Sequence, residues 1–201
     1  MNKKLISLVL ASMAVGALAG CNQSTPTPAP LPDEYNLMQY WQVNGEETYY
    51  DITTVGDNLV VSYENVTEYR FIGRSFAYDG TDLAKFAETY KKLTFTGALT
   101  ATTGTNIVLL KFERTGWQFE KKFEFKSTTD SYDLSLANIP AEHWQSDLKV
   151  MLFVNMDTTV VGAGEMTFSK IALSKAEVNP AKDIMDGVLP QVYNEIGRAH
   201  V

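Results

Sequence analysis

The chain has few of the residues from which disulfides, metal sites and nucleophilic active sites are built. Its 201 residues include one cysteine and two histidines, and 24 acidic residues outnumber 17 lysines and arginines, giving a net charge of −7. One cysteine cannot form an intrachain disulfide, and the acidic excess argues against a nucleic-acid partner. His143 has no partner at metal-ligand spacing, and no Gly-x-Ser-x-Gly motif is present. The sequence therefore predicts that this part of the protein is not an enzyme.

Long apolar runs are also rare, and the clearest one lies at the amino terminus. Lys3 and Lys4 precede a mainly apolar stretch over 5–18, which is short for a membrane span and typical of an export signal. The following tetrapeptide, Leu18-Ala19-Gly20-Cys21, resembles the bacterial lipobox. The resemblance implies cleavage before Cys21 and lipid attachment to it, so the protein would be anchored in the cell envelope, outside the cytoplasm. An ordinary signal peptide with a chance cysteine is the alternative.

Composition divides the remaining chain into segments. Residues 21–34 hold four prolines among small polar residues, which predicts an extended, solvated tether. Residues 35–175 have the size and apolar content of one domain. A linker over 176–194 is expected to lead to a further domain, such as a glycoside hydrolase. The last seven residues, 195–201, resemble a translated sequencing adapter.

The central region is rich in tyrosine, phenylalanine, threonine and valine and shows strand-like alternation. Leu93, Phe95 and Leu99 alternate with threonines, for example, and a short turn at 114–116 predicts a hairpin. A change of parity near Ser169 and Lys170 predicts a β-bulge. Helical turns are expected only over 82–90 and 141–145. Strands are predicted over 49–55, 59–64, 68–78, 93–100, 106–114, 117–126, 131–136, 148–155 and 165–173.

These segments predict an all-β fold, a two-sheet antiparallel β-sandwich of the jelly-roll type. Their order resembles bacterial carbohydrate-binding modules with a galactose-binding-like jelly roll. The resemblance is carried by Tyr90-Lys91-Lys92-Leu93-Thr94-Phe95, the strand 107–112, Tyr132-Asp133-Leu134-Ser135, the strand 148–155, and Gly162 and Gly164. It implies that a sugar lies across one sheet or at edge loops. It also implies a structural calcium ion, to which Asp51, Asp79 and Asp82 could contribute oxygens.

A sugar site needs exposed aromatic rings beside planar polar groups, because pyranose rings present both C–H patches and hydroxyls. Arg70, Arg74 and Tyr78 share strand parity with Ile72 and Phe76, and this face is the first candidate site. Surface ion pairs for the arginines, with the rings in the core, are the alternative reading.

Two further positions are candidates for sugar contact. Phe153 and Asn155 lie opposite the apolar row of their strand, although a central strand with both faces buried gives the same pattern. Trp144 lies on a predicted loop, where a sandwich displays ligand contacts. Trp117 is expected to cover the edge of the core. Trp41 is expected to pack the amino-terminal segment against the sandwich.

The functional hypothesis is a surface-anchored, non-catalytic carbohydrate-binding module that holds polysaccharide near the cell. It would form the front of a longer glycan-degrading lipoprotein. The alternative is a structural or adhesive lipoprotein whose β-sandwich binds a protein partner. An exposed aromatic platform with flanking polar groups favours a sugar, and a broad apolar patch without them favours a protein.

Overall fold

The computed structural model describes residues 30–44, 49–67, 70–76, 82–156, 158–179, 182 and 184. The chain divides into two units, 1–30 and 31–201, and every element described here belongs to the second. Among the described residues, no helix combines the length and apolar character needed to cross a membrane. The strands are β1 (Glu34–Asn36), β2 (Gln42–Asn44), β3 (Tyr50–Val55), β4 (Asn58–Val66), β5 (Phe71–Ser75), β6 (Lys92–Thr103), β7 (Ile107–Arg114), β8 (Trp117–Glu124), β9 (Asp130–Ser135), β10 (Lys149–Phe153) and β11 (Gly162–Ser174).

The strands form two antiparallel sheets, which confirms the predicted β-sandwich. The six-stranded sheet has the order β3-β4-β11-β6-β9, with β1 also paired to β11. The five-stranded sheet has the order β2-β5-β10-β7-β8. The predicted hairpin joins β7 to β8, pairing Arg114 with Trp117 across the turn.

The core lies between the sheets and is built by the period-two alternation of each strand. Phe95 and Leu99 of β6, and Phe112 of β7, are fully buried. Aromatic contacts join the strands, since Phe168 lies 6.1 Å from Phe95 and 5.7 Å from Phe125 between ring centroids. Burial of these apolar faces provides the main driving force for folding.

The β-bulge predicted near Ser169 is present in β11. The pairing of β11 with β6 shifts register between Phe168 and Lys170. Opposite this point lies Gly97, where an added Cβ would stand 2.2 Å from the carbonyl oxygen of Thr167. The absence of a side chain at Gly97 therefore permits the close approach of the two strands.

Helical structure is confined to short segments in the described part of the chain. The helix α1 (Leu83–Thr89) begins where it is predicted, because the Asp82 carboxylate accepts a hydrogen bond from the Lys85 amide. Two 3-10 turns follow β9, at Leu136–Asn138 and Ala141–His143. The three-residue strands β1 and β2 were not predicted, because so short a segment shows no alternation.

Candidate functional site

The outer face of the five-stranded sheet presents a row of apolar side chains across three adjacent strands. Phe153 of β10 pairs with Phe71 of β5 on one side and with Leu109 of β7 on the other. Their neighbours Ile72, Leu152 and Leu110 are fully buried on the inner face, so these three side chains point away from the core. We call Phe71, Phe153 and Leu109 the aromatic row.

The two rings of the aromatic row contact each other. The centroids of Phe71 and Phe153 lie 4.8 Å apart with a tilt of 40° between the ring planes. Both rings are partly buried, whereas Leu109 is only 7% exposed because its neighbours enclose it. The result is a fixed apolar surface of about three side chains, running across the strands.

Polar side chains flank the aromatic row on both sides. In the strand register, Asn44 of β2 lies opposite Phe71, and Lys122 of β8 lies opposite Leu109, so both residues extend the row. The Asn44 side chain is exposed. The next row along the strands runs from Gln42 through Gly73, Met151 and Lys111 to Glu120. Because Gly73 has no side chain, the outer surface of the sheet is lower there than at the adjacent Phe71 and Phe153 rings.

Ion pairs fix the polar groups on the β7–β8 side. The Lys111 ammonium lies 2.5 Å from Glu113 Oε2 and 3.5 Å from Glu120 Oε1. Both carboxylates remain partly exposed, with side-chain exposures of 46% and 38%. Hydrogen-bonding groups are therefore held beside the apolar row while still facing solvent.

A pocket of about 560 Å³ lies at one end of this face, where the β7–β8 turn meets the segment before β10. The Arg114 guanidinium lies 3.2 Å from Asp147, which also accepts a hydrogen bond from the Thr115 amide. This hydrogen bond from Thr115 lowers the pKa of Asp147. Trp117 lines the pocket and stacks on His143, with 4.3 Å between ring centroids. The pocket combines an indole ring with planar charged groups.

The structure separates the two arginines predicted to form one exposed face. Arg74 is only 3% exposed and shares the inner face of β5 with Ile72, and the buried Phe76 follows directly after the strand. Its Nε donates to the Gln39 carbonyl at 2.8 Å. The expectation of a solvent-facing Arg74 is wrong, because main-chain carbonyls satisfy the guanidinium inside the fold.

Arg70 lies just before β5 and contacts Tyr49. Its guanidinium carbon stands 4.3 Å from the centre of the Tyr49 ring, and its Nη2 donates to the Tyr49 hydroxyl at 3.3 Å. Arg70 is partly exposed, whereas Arg74 is buried, so the two arginines do not share an open surface. Tyr78, the third member of that predicted face, lies outside the described residues, as does Cys21.

Trp144 and Asn155 are buried, which corrects the expectation that they are displayed to solvent. Trp144 is 4% exposed, packs against Phe76 at 5.4 Å, and donates from Nε1 to the Ile139 carbonyl. Asn155 is 1% exposed and binds main-chain groups of Thr105, Val160 and Val66, the last residue of β4. Among the predicted site residues that the structure describes, Phe153 is the one on the outer face of the five-stranded sheet.

The predicted calcium ligands are not brought together in the described part of the chain. Asp82 caps α1, Asp51 lies on β3, and Asp79 lies outside the described residues. Within the described ranges, no group of three histidine, cysteine, aspartate or glutamate side chains could hold a metal ion. Calcium binding by Asp51, Asp79 and Asp82 stays a prediction.

Sequence reasoning missed Phe71, Leu109, Asn44 and Gln42. Leu109 lies in a continuous apolar run, 107–110, so alternation did not distinguish its two faces. Phe71 has the opposite strand parity to Arg70 and Arg74, which were the site candidates predicted for that strand. The signal that joins Phe71, Phe153 and Leu109 is the pairing register of three strands that are distant in sequence.

No family model and no curated protein matches this chain. Solved structures that match the chain include PfGH50B, at 12% identity and a TM-score of 0.47, covering 71% of this chain and 23% of that one. A module named CBM28, described as specific for non-crystalline cellulose, matches at 12% identity and a TM-score of 0.41, covering 69% and 89%. A family 30 carbohydrate-binding module from a Clostridium thermocellum cellulase matches at 12% identity and 0.38, covering 68% and 87%. The chain thus spans about a quarter of PfGH50B.

Proposed function

We propose that this protein is a non-catalytic carbohydrate-binding module whose sugar site is the outer face of the five-stranded sheet. A lipid on Cys21 would hold it in the cell envelope, outside the cytoplasm. Bound polysaccharide would then stay close to a hydrolase, either a domain beyond residue 194 or a separate enzyme, at raised effective concentration.

The observation that carries the proposal is the aromatic row with its polar flanks. A pyranose ring has apolar C–H patches that can pack against an aromatic face, and aromatic side chains offer a large apolar area for such contact. Its hydroxyl groups need donors and acceptors at the rim of the contact. Phe71 and Phe153 provide the rings, and Asn44, Lys122 and the ion-paired Lys111 provide the rim.

The first prediction concerns Phe153. Replacement by alanine removes one of the two rings, and we expect at least a tenfold loss of affinity for the polysaccharide, corresponding to about 1.4 kcal/mol. Affinity electrophoresis in gels containing β-glucan or a related polysaccharide, with and without calcium, measures the change. Titration calorimetry with the retained glycan's oligosaccharides gives the affinity.

Two companion variants make this test specific. Asn44→Ala removes an exposed amide beside Phe71 without disturbing the core, and we expect a smaller loss, of about threefold. Val55→Ala, at a side chain 61% exposed on the other sheet, is expected to bind as the native chain does. Unchanged retention of a folded Phe153→Ala variant would place the site elsewhere. Failure of the native chain to bind any glycan would contradict the proposal and favour a protein partner.

A further inference from the structure

Tyr40 stands largely in solvent, beside the β2 edge of the five-stranded sheet. With 47% of its surface exposed, it is the most exposed aromatic side chain among the residues that the structure describes. It belongs to the segment that leads into β2, where Trp41 is 7% exposed and Gln42 is exposed again. Gln42 lies opposite Gly73 on the outer face of the sheet. The change of exposure from one residue to the next therefore puts Tyr40 on the same side of the segment as Gln42.

Arg74 fixes the position of Tyr40 at the end of β5. Its guanidinium donates to the carbonyls of Gln39 and Ser75, at 2.8 and 3.3 Å, which joins the segment before β2 to the last residue of β5. The guanidinium carbon lies 5.8 Å from the centre of the Tyr40 ring. Because Arg74 is only 3% exposed, it supports the ring from the protein side, and the ring keeps a surface open to solvent.

The backbone of Tyr40 adopts a conformation that tyrosine seldom takes. Its φ is 67°, in the left-handed region, which is an outlier for a bulky residue. Such a conformation destabilises a fold, and residues that keep one cluster at ligand-binding and active sites. The Tyr40 ring is not part of the buried core, so core packing does not explain the strain. A contact with a ligand does explain it.

The outer surface is low between this ring and the aromatic row. Phe71 and Ser75 lie four residues apart on β5, a distance of about 13 Å at the rise of a strand. Gly73 stands between them on the outer face without a side chain, and the adjacent Met151 is 3% exposed. Gln42 adds an exposed amide on the β2 side. The surface therefore forms a path along β5, with aromatic rings at both ends and a polar edge.

We propose that Tyr40 is a second aromatic contact for the glycan, so that a bound oligosaccharide lies along β5 with one sugar on Phe71 and Phe153 and another on Tyr40. This role of Tyr40 rests on the proposed function, to which it adds the direction of the bound chain and a dependence on chain length. A single sugar ring is shorter than the separation of the two contacts, so only an oligosaccharide reaches both. The second contact then forms at high effective concentration and strengthens binding.

The test compares short and long ligands of one chemistry. The full chain is titrated with a dimer and a hexamer of β-1,4-linked glucose, and with the β-1,3-linked pair. In the series that binds, we expect the affinity for the hexamer to exceed that for the dimer by about tenfold or more. Tyr40→Ala should weaken the hexamer by about fivefold or more and leave the dimer within about twofold. Equal affinities for dimer and hexamer in the native chain, or binding of neither hexamer, would overturn the proposal.

Matched variants separate a binding role from a structural one. Asparagine tolerates positive φ, so we expect Tyr40→Asn to melt at or above the native temperature and to lose hexamer affinity as Tyr40→Ala does. Tyr40→Phe keeps the ring and should bind the hexamer as the native chain does. Tyr49 is the control, because it also packs on an arginine, 4.3 Å from Arg70, but directly precedes β3 of the six-stranded sheet. Tyr49→Ala should leave hexamer affinity unchanged.

The variants can also contradict the role of Tyr40. A lower melting temperature in Tyr40→Asn with unchanged hexamer affinity would assign Tyr40 to the fold and overturn the proposal, as would an equal loss of affinity in Tyr49→Ala. Failure of the proposed function looks different, because it is judged by retention of polysaccharide and by Phe153→Ala. A chain that is retained through Phe153 but binds the hexamer no better than the dimer keeps the proposed function and excludes Tyr40 from the site.

Discussion

Asn155 shows how one buried polar side chain joins several loops. Its Nδ2 donates to the carbonyls of Val66 and Val160, at 3.0 and 2.7 Å, and its Oδ1 accepts from the Thr105 amide at 3.0 Å. Its backbone has φ of 58°, a region that asparagine tolerates better than most residues. The three bonds tie Asn155 to the end of β4 at Val66 and to the segments that hold Thr105 and Val160.

We expect Asn155→Ala to lower the free energy of unfolding by about 2–4 kcal/mol, because three main-chain groups lose their partner in a buried site. Asn138→Ala, which removes a single partly buried bond to the Ser135 carbonyl, is the matched control and should cost about 1 kcal/mol. Urea denaturation followed by tryptophan fluorescence measures both. Equal losses for the two variants would contradict this account of Asn155.

At the scale of elements, β11 organises the six-stranded sheet. It pairs with β4 and β6 along most of its length and with β1 at its end. The bulge after Phe168 and the missing side chain at Gly97 bring β6 and β11 together. A residue with a side chain at Gly97 would meet main-chain atoms of β11, which cannot move independently of the sheet.

Gly97→Ala should therefore destabilise the fold by about 3 kcal/mol or more, through displacement of two central strands. Gly73→Ala is the comparison, since its Cβ would stand 3.2 Å from the flexible Met151 side chain, and we expect a loss below about 1 kcal/mol. Thermal unfolding by circular dichroism compares the two melting temperatures. Similar melting temperatures would show that β6 and β11 can separate locally without penalty.

Local patterns were enough to predict most elements. All nine predicted strands, the helix after Asp82 and the bulge near Ser169 are confirmed, because alternation, capping and parity changes are local signals. The exposed face of β5 was predicted wrongly. From sequence alone, an arginine is expected to be exposed. Arg74 is buried because it donates a hydrogen bond to the Gln39 carbonyl inside the fold, and this contact is formed only in the tertiary structure.

The candidate site was predictable only in part. Phe153 was chosen from the parity of its own strand, and it lies on the aromatic row. Its partners Phe71 and Leu109 come from strands separated from it by long stretches of sequence, and no pattern within one strand gives their register. Trp144 was placed in a loop, as predicted, but the loop turns its ring onto Phe76 in the core.

At the scale of the whole molecule, the sandwich presents two outer faces of different chemistry. One combines the aromatic row with ion pairs at Lys111, and the other carries the exposed carboxylates of Asp51, Glu64 and Glu165. A lipid on Cys21 would keep both faces near the membrane.

The proposed attachment of a lipid to Cys21 gives a prediction about the whole protein. In a bacterial host with lipoprotein processing, we expect the native chain to incorporate labelled palmitate and to fractionate with membranes, since buried acyl chains contribute about 0.8 kcal/mol per methylene. Cys21→Ser should abolish the label, and Asn22→Ser should retain it. Equal labelling of the Cys21→Ser variant would contradict lipid attachment at this cysteine.

The start of the domain also has a mechanical consequence. Residues 34–36 pair with 172–174, the Leu37 amide donates to Ile171, and the Lys175 ammonium reaches the Leu31 carbonyl at 2.7 Å. The Tyr35 ring packs on Phe86 at 4.7 Å. A force applied to the chain ahead of Leu31 and directed along β1 would load these contacts together. Under the drag of a bound polymer, the tension would be distributed over all of these contacts. The force needed to pull β1 away from the sheet would then not be set by any single bond.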